Sequence, residues 1–301
     1  MPRISAEYAH RSAAQHRPPR TATTTHQQAR AAPPAYSAAR PPDDCDDRGV
    51  LDDSREELSG GNVGGAWRHG DLVVRPGGPW SAAVQALLGH LVGKGLDWVP
   101  RPRGIDGDGN DLTSYVAGVV PTYPMPAWVW SEANLIEAAR RLREFHDASR
   151  DLDTTGTVWR SPAHDPVEVI CHNDFAPYNF VYEDGRMSGV IDWDLASPGP
   201  RVWDLSYLAY RLVPLTCSDH DGVPNFDVAI RRRRLALLCE SYGGATPERV
   251  LDVLPARLDE LARATEGMER AGSLRVAGHA ELYRNNSRWV RSDRGALSAE
   301  G

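Results

Sequence analysis

Hydrophobic and polar positions alternate differently in the two halves of the chain. Between Leu58 and Val120 the runs Ala66 to Arg68, Leu72 to Arg75 and Thr113 to Val116 have the length and β-branched content of short strands. They flank one stretch in which Val84, Leu87, Leu88, Leu91 and Val92 recur at helical spacing until Gly95 ends the run. Past the proline-dense segment Pro121 to Pro126, Ser131 offers an N-cap, and Leu135, Ala139, Leu142, Phe145 and His146 mark one face of a longer helix. Glu168 to Ile170 reads as a short strand. Asn179 to Tyr182 and Met187 to Ile191 read as two arms of a hairpin, because Asp184-Gly185 accepts the positive φ of a tight turn. Helical stripes follow: Leu205, Leu208 and Leu212; then Leu235, Leu238 and Tyr242 before Gly243-Gly244. Thr246-Pro247-Glu248 supplies an N-cap, a first-turn proline and a first-turn acid. The expected class is α+β, with a small β-rich unit over 58–120 and a larger, mainly helical unit over 121–301.

Residues 1–57 follow neither period. The first 42 contain Arg, Ala, Pro, Thr and Gln, with Glu7 as the only acid, and cannot bury enough apolar surface to offset chain entropy. An acidic run follows from Asp43 to Glu57, so this segment is expected to be a disordered extension, with order beginning near Leu58. The remainder is globular in composition: 41% of the 301 residues are hydrophobic and 25% charged. A formal net charge of −7 removes the global basic field on which non-specific nucleic-acid binding relies. No run approaches the roughly 18 consecutive apolar residues of a membrane span. Cys45, Cys171, Cys217 and Cys239 lie far apart, without CxxC spacing, and are expected to be reduced thiols. A cytoplasmic protein without nucleic-acid or membrane partners is predicted.

Candidate chemistry concentrates in Ile170-Cys-His-Asn-Asp-Phe-Ala-Pro-Tyr-Asn179 and Val190-Ile-Asp-Trp-Asp194. A loop leaving a short strand presents Asp174 and, five residues on, Asn179; the second hairpin arm then delivers Asp192. Phosphoryl transfer needs such a set: a carboxylate to orient a hydroxyl and accept its proton, with hard oxygen ligands for magnesium.

Here the sequence resembles the aminoglycoside phosphotransferase family of protein-kinase-like small-molecule kinases, through HxDxxxxN (His172, Asp174, Asn179) and Ile191-Asp192-Trp193-Asp194. The resemblance extends to the Gly-rich opening Leu58 to Gly65, the strand Leu72 to Arg75, the hinge-like Ser114 to Gly118 and the segment Gly199 to Asp204. It implies a two-lobed, protein-kinase-like fold and transfer of the γ-phosphoryl group of ATP, with Mg2+, to a hydroxyl of a small molecule such as an aminoglycoside. By the same resemblance Asp174 is the catalytic base, with His172 shaping its loop. Asn179 and Asp192 are metal ligands, and Gly60, Gly61, Gly64, Arg75 and Tyr115 belong to the nucleotide site.

Two positions depart from the pattern. Arg75 stands where a lysine usually holds phosphates, and the helix from Ser81 to Lys94 has no acid to pair with it, leaving Gln85 or His90 as substitutes. This departure keeps open a weak or inactive nucleotide-binding pseudokinase with a regulatory role. An interaction protein working through its basic tail is a third possibility. Asp194 is expected to support the metal site, and Asp204 reads most simply as a helix N-cap, or as a buried brace on the catalytic loop. The tryptophans at 128, 130, 159, 193 and 203 read as core or as pocket lining. Residues 231–301 hold thirteen Arg and ten acids, a poor match to a polycationic acceptor, although Asp219, Asp221 and Asp227 lie just upstream. The run Arg231 to Arg234 reads as the solvated face of a helix.

Overall fold

The computed structural model describes residues 56–58, 65–217, 223–271 and 278–298. Gly60, Gly61, Gly64, Asp219, Asp221, Cys45 and almost all of the N-terminal extension lie outside the described residues.

Five strands, β1 (Glu56–Leu58), β2 (Ala66–His69), β3 (Leu72–Pro76), β4 (Pro102–Ile105) and β5 (Asn110–Ser114), form one antiparallel sheet in the order β1-β2-β3-β5-β4. β1 and β4 went unseen in the hydrophobic pattern because both are edge strands, one beginning Glu-Glu and the other containing Pro and Gly. Pairing thus begins at Glu56, two residues before the expected start of order. β5 lies earlier than the run Thr113 to Val116, and its register sets Asp111 opposite Arg75. Tyr115 and Val116 instead lead out of the sheet, with the Tyr115 amide held by the Asp71 carbonyl at 2.7 Å. Helix α1 (Ser81–Gly93) buries Val84, Leu87, Leu88 and Leu91, and Gly95, at φ +93°, turns the chain away after it.

Helix α2 (Glu132–Ala148) opens the larger part, capped by the Ser131 hydroxyl, which accepts from the Asn134 amide. β6 (Val169–Cys171) pairs with β9 (Ser197–Gly199), and β7 (Phe180–Glu183) with β8 (Arg186–Val190), the turn lying at Asp184-Gly185 with both φ values positive. Helices α3 (Arg201–Leu212), α4 (Val228–Tyr242), α5 (Pro247–Arg270) and α6 (His279–Ser298) complete the architecture. Leu135, Leu142 and Phe145 of α2 and Leu205 and Leu208 of α3 are fully buried at its centre. Burial of each such side chain contributes on the order of 2 kcal/mol.

The arginine run of α4 is not a uniformly solvated face. Arg231 and Arg234, three residues apart and so on one side of the helix, turn inward. They donate to the Thr216 and Leu212 carbonyls at 2.7 and 2.8 Å, and their guanidinium groups lie over Trp289 and Phe226.

Candidate functional site

A slot of about 200 Å³ opens between the five-stranded sheet and the β7–β8 hairpin. Leu58, Ala66 and Val73 wall it from the sheet side, Val181 and Ile191 from the hairpin side, and Tyr115 lies in the connection along its edge. That connection runs close to the hairpin: a Cβ on Gly118, at φ +137°, would meet the Tyr182 carbonyl oxygen at 2.6 Å. The opposite end of the slot is polar, formed by Arg75, Asn179, Asp192 and Asp194. Of the five tryptophans weighed as core or pocket, Trp193 lines the slot, Trp130 and Trp203 are buried elsewhere, Trp159 packs half-buried against the core and Trp128 is exposed.

The loop between β6 and β7 is shaped from beneath. Asp204 is fully buried and accepts from the His172 amide at 2.6 Å, the Asn173 amide at 2.8 Å and His146 Nε2 at 3.3 Å. The cap of α3 is Pro200, so Asp204 is the brace and not the N-cap; its side chain turns from the helix to the neighbouring loop. Burial alone would raise the Asp204 carboxyl, but hydrogen bonding from His146, the charges of His146 and His172 and the loop amide hold it below its ordinary value. Burial pushes His146 down, and Tyr242 Oη lies 2.8 Å from its other ring nitrogen. Asn173, at φ +64°, bends the loop, and its side-chain amide donates to the Leu195 carbonyl and to Ser197. Arg257, buried in the middle of α5, donates to the Asn173 carbonyl. His172 sits wholly inside, its ring against Phe175 and Trp193, with Nδ1 accepting from the Asp174 amide at 3.3 Å. That environment suits a residue that shapes the loop.

Asp174 stands half-buried at the outer edge of this loop. Its Oδ1 accepts from the Tyr178 hydroxyl at 2.5 Å, and its Oδ2 from the Asn179 side-chain amide at 3.0 Å. Tyr178 Oη also lies 2.8 Å from Tyr207 Oη, which accepts two bonds from Arg211. Arg211 can only donate and a carboxylate can only accept, so both hydroxyl protons in this chain point toward Asp174. The Asn179 amide nitrogen is committed to Asp174, including its backbone carbonyl at 2.9 Å, which leaves the Asn179 side-chain oxygen as its free acceptor. Ile191 donates its amide to the Asn179 carbonyl, fixing Asp192 beside it.

Arg75 reaches across from β3. Its Nη2 lies 2.7 Å from Asp192 Oδ1 and 3.0 Å from Asp194 Oδ2. Burial works against the Arg75 charge, but Asp192 and Asp194 overcome it and raise its pKa. Burial raises the Asp194 carboxyl in turn, with Arg75 opposing. Neither residue expected to substitute for the missing α1 acid does so. Gln85 bonds Asp111, the Leu112 carbonyl and the Gly104 amide within the sheet, whereas His90 reaches the Ala148 carbonyl and Asp151 at the end of α2. The acids come instead from the segment after β8. Asp194 also receives Arg160 Nη1 at 3.3 Å, a residue from the irregular segment between α2 and β6 that no local pattern singled out. Arg257 was missed for the same reason, since its partner Asn173 is far off in sequence, whereas Tyr178 and Arg211 each bond a residue four positions away and were missed because the link between Tyr178 and Tyr207 joins two separate segments.

Among the described residues, His146, Cys171 and Asp204 bring their ligand atoms within 4.8 Å of one another. Asp204 is committed to loop amides and His146 to Asp204 and Tyr242, so this cluster serves the brace. Cys171, Cys217 and Cys239 are free thiols. No described helix is long and apolar enough to cross a membrane.

Comparison with known proteins agrees with this geometry. Residues 119–247, which carry the loop and both arms of the hairpin, match the model of the phosphotransferase enzyme family. The trifolitoxin immunity protein of Rhizobium leguminosarum bv. trifolii is 30% identical over 200 residues, spanning 64% of this chain and 75% of that protein. The chain belongs to the phosphotransferase enzyme family. Its fold is that of the family's protein-kinase-like members. A crystal structure described as an aminoglycoside phosphotransferase from Ralstonia eutropha superposes with a TM-score of 0.55 at 13% identity, covering 79% of this chain and 92% of that one. A macrolide 2'-phosphotransferase from Brachybacterium faecium gives 0.51 at 18% identity, covering 83% and 94%. An ADP-bound aminoglycoside phosphotransferase gives 0.52 at 15%, covering 83% and 96%.

Proposed function

We propose that this phosphotransferase moves the γ-phosphoryl group of ATP to a hydroxyl of a small molecule. The observation that carries the reading is the meeting of Asp174, Asn179 and Asp192 near the polar end of the slot. The slot takes the flat base between Val73 and Ile191, and Arg75 grips the phosphates through its planar fork. The free side-chain oxygen of Asn179 and the Asp192 carboxylate form a hard donor set that fits a magnesium ion. Such an ion supplies neutralisation of the polyphosphate charge. Asp174 orients the acceptor hydroxyl and accepts its proton, with Tyr178 and Asn179 fixing the plane of the carboxylate. His172 shapes the loop, and Gly60, Gly61 and Gly64, outside the described residues, go with the nucleotide site on the sequence resemblance alone. Residues 58–120 form the nucleotide-binding unit, and residues 121–301 carry the catalytic loop and the acceptor site.

The name of the Rhizobium relative, an immunity protein, favours a toxic compound as the acceptor, and aminoglycosides begin the screen. Thermal-shift titration with ATP and GTP, each with and without magnesium, tests the nucleotide assignment, because a ligand of the native state stabilises it by mass action. A magnesium-dependent rise that Asp192→Asn abolishes is the expected result; no rise with either nucleotide refutes it. The pseudokinase reading, motivated by Arg75 and the acid-free α1, loses ground because Asp192 and Asp194 supply acidic partners for Arg75. Nucleotide binding without transfer to any acceptor would restore it.

A further inference from the structure

We propose that Arg160 is a second phosphate-binding cation, which joins Arg75 on the polyphosphate of the nucleotide. The inference rests on the nucleotide assignment above and adds to it a residue outside the motifs. Arg75 and Arg160 converge on a single atom: Asp194 Oδ2 lies 3.0 Å from Arg75 Nη2 and 3.3 Å from Arg160 Nη1. Two guanidinium groups, one from the sheet and one from the segment between α2 and β6, thus share one carboxylate oxygen at the polar end of the slot.

Arg160 is held there on its other side as well. Its guanidinium carbon lies 4.4 Å from the centroid of the Trp80 ring, immediately before α1, so the fork is already ordered without phosphate. Only Nη1 engages an acceptor among the described residues, which leaves Nε and Nη2 with donor capacity. Its side chain is 26% exposed, partly shielded from water.

The charges around the polar end bear on the same conclusion: Arg75 and Arg160 balance Asp192 and Asp194, and Asp111, opposite Arg75, adds one further acid. Assigning Asp192 to a divalent cation takes from Arg75 its shorter contact, the one at 2.7 Å. Magnesium-bound ATP retains about two negative charges near neutral pH, and two planar forks anchored on Asp194 answer them with the bidentate geometry phosphate prefers. Asp194 therefore anchors both cations, a task that an acid on α1 would perform for one.

The test is calorimetric binding to the full chain, with magnesium-ATP, magnesium-ADP and adenosine as probes. Arg160→Gln is expected to weaken both nucleotides about tenfold, the scale of one charge-assisted contact, while adenosine binding stays within about twofold. Arg160→Lys should recover part of the loss, because it keeps the charge without the fork. Unchanged or tighter nucleotide binding in Arg160→Gln overturns the proposal, and so does an equal loss of adenosine, which would mark a structural role. Arg75→Gln separates the two inferences. If it weakens the nucleotides and Arg160→Gln does not, only the second cation is refuted; if neither nucleotide binds wild-type protein, the nucleotide assignment itself falls.

Discussion

Asp204→Asn changes one atom at the centre of the brace, and its cost can be worked from the contacts. The carboxylate accepts two loop amides, at 2.6 and 2.8 Å, in a wholly buried setting. An asparagine keeps one oxygen acceptor and turns an amide donor toward the other N–H, so one loop amide is left unpaired and faces a second donor. The bond from His146 at 3.3 Å loses its charged partner as well. Breaking a buried, charge-assisted set of this kind costs about 3–5 kcal/mol. For a folded unit of this size about 2–4 °C of melting temperature is lost per kcal/mol, so calorimetry should record a fall of roughly 6–20 °C. Because the loop carries Asp174, transfer activity should drop even below the melting transition. A midpoint within about 2 °C of wild type would refute the brace, since no exposed or merely capping aspartate reaches the expected cost.

Asp174→Asn and Asp192→Asn should each keep a melting midpoint within about 2 °C of wild type and lose at least about a hundredfold in phosphoryl transfer, measured by coupled ADP release. The pH dependence of stability should carry a signature of His146, whose ordinary value is 6.5 and which burial pushes down. The unfolded chain takes up a proton that the folded chain resists, so stability is complete above the ordinary value and declines on acidification toward the folded one. The slope is at most about 1.4 kcal/mol per pH unit, and melting of wild type against His146→Gln between about pH 7.5 and pH 5.5 should show the shallower decline in the variant. Gly118→Ala places a methyl 2.6 Å from the Tyr182 carbonyl oxygen at a positive φ; destabilisation of about 2 kcal/mol and weaker nucleotide binding are expected, and a silent substitution in thermal-shift titration would mean that the connection does not frame the slot.

The helices were legible because their apolar stripes are long and their caps are local: Ser131, Thr246 and Gly243 do in the structure what their neighbours in sequence suggest. Edge strands were not, since β1 and β4 owe their conformation to the strand beside them and not to their own side chains. The site shows the same division. Asp174, Asn179 and Asp192 stand at fixed spacings on either side of one hairpin, so the motif brings them together without help from distant segments. Arg160 and Arg257 act across long stretches of chain, on Asp194 and Asn173, and nothing in their immediate sequence distinguishes them from surface arginines; Arg211 bonds Tyr207 one helical turn away, and only the approach of Tyr178 to Tyr207 gives that pair its place beside the loop. Asp204 was ambiguous because the start of a helix is a reasonable place for a capping aspartate; only the approach of the loop to α3 selects the brace.

Asn173 and Asp192 share one further property: each holds a left-handed backbone, at φ +64° and +65°, although neither is glycine. Asn and Asp tolerate that region better than other residues with a Cβ, but it still costs on the order of 1 kcal/mol at each position. Glycine at 192 would relieve the strain, and the same change would remove the carboxylate that faces Arg75. Because burial opposes the Arg75 charge and Asp192 is its shorter contact, that loss offsets the relief, and selection of this chain for heat resistance alone gains nothing from glycine there. Selection under challenge by its acceptor should hold the aspartate in place and seek its stability elsewhere, in the helices far from the slot.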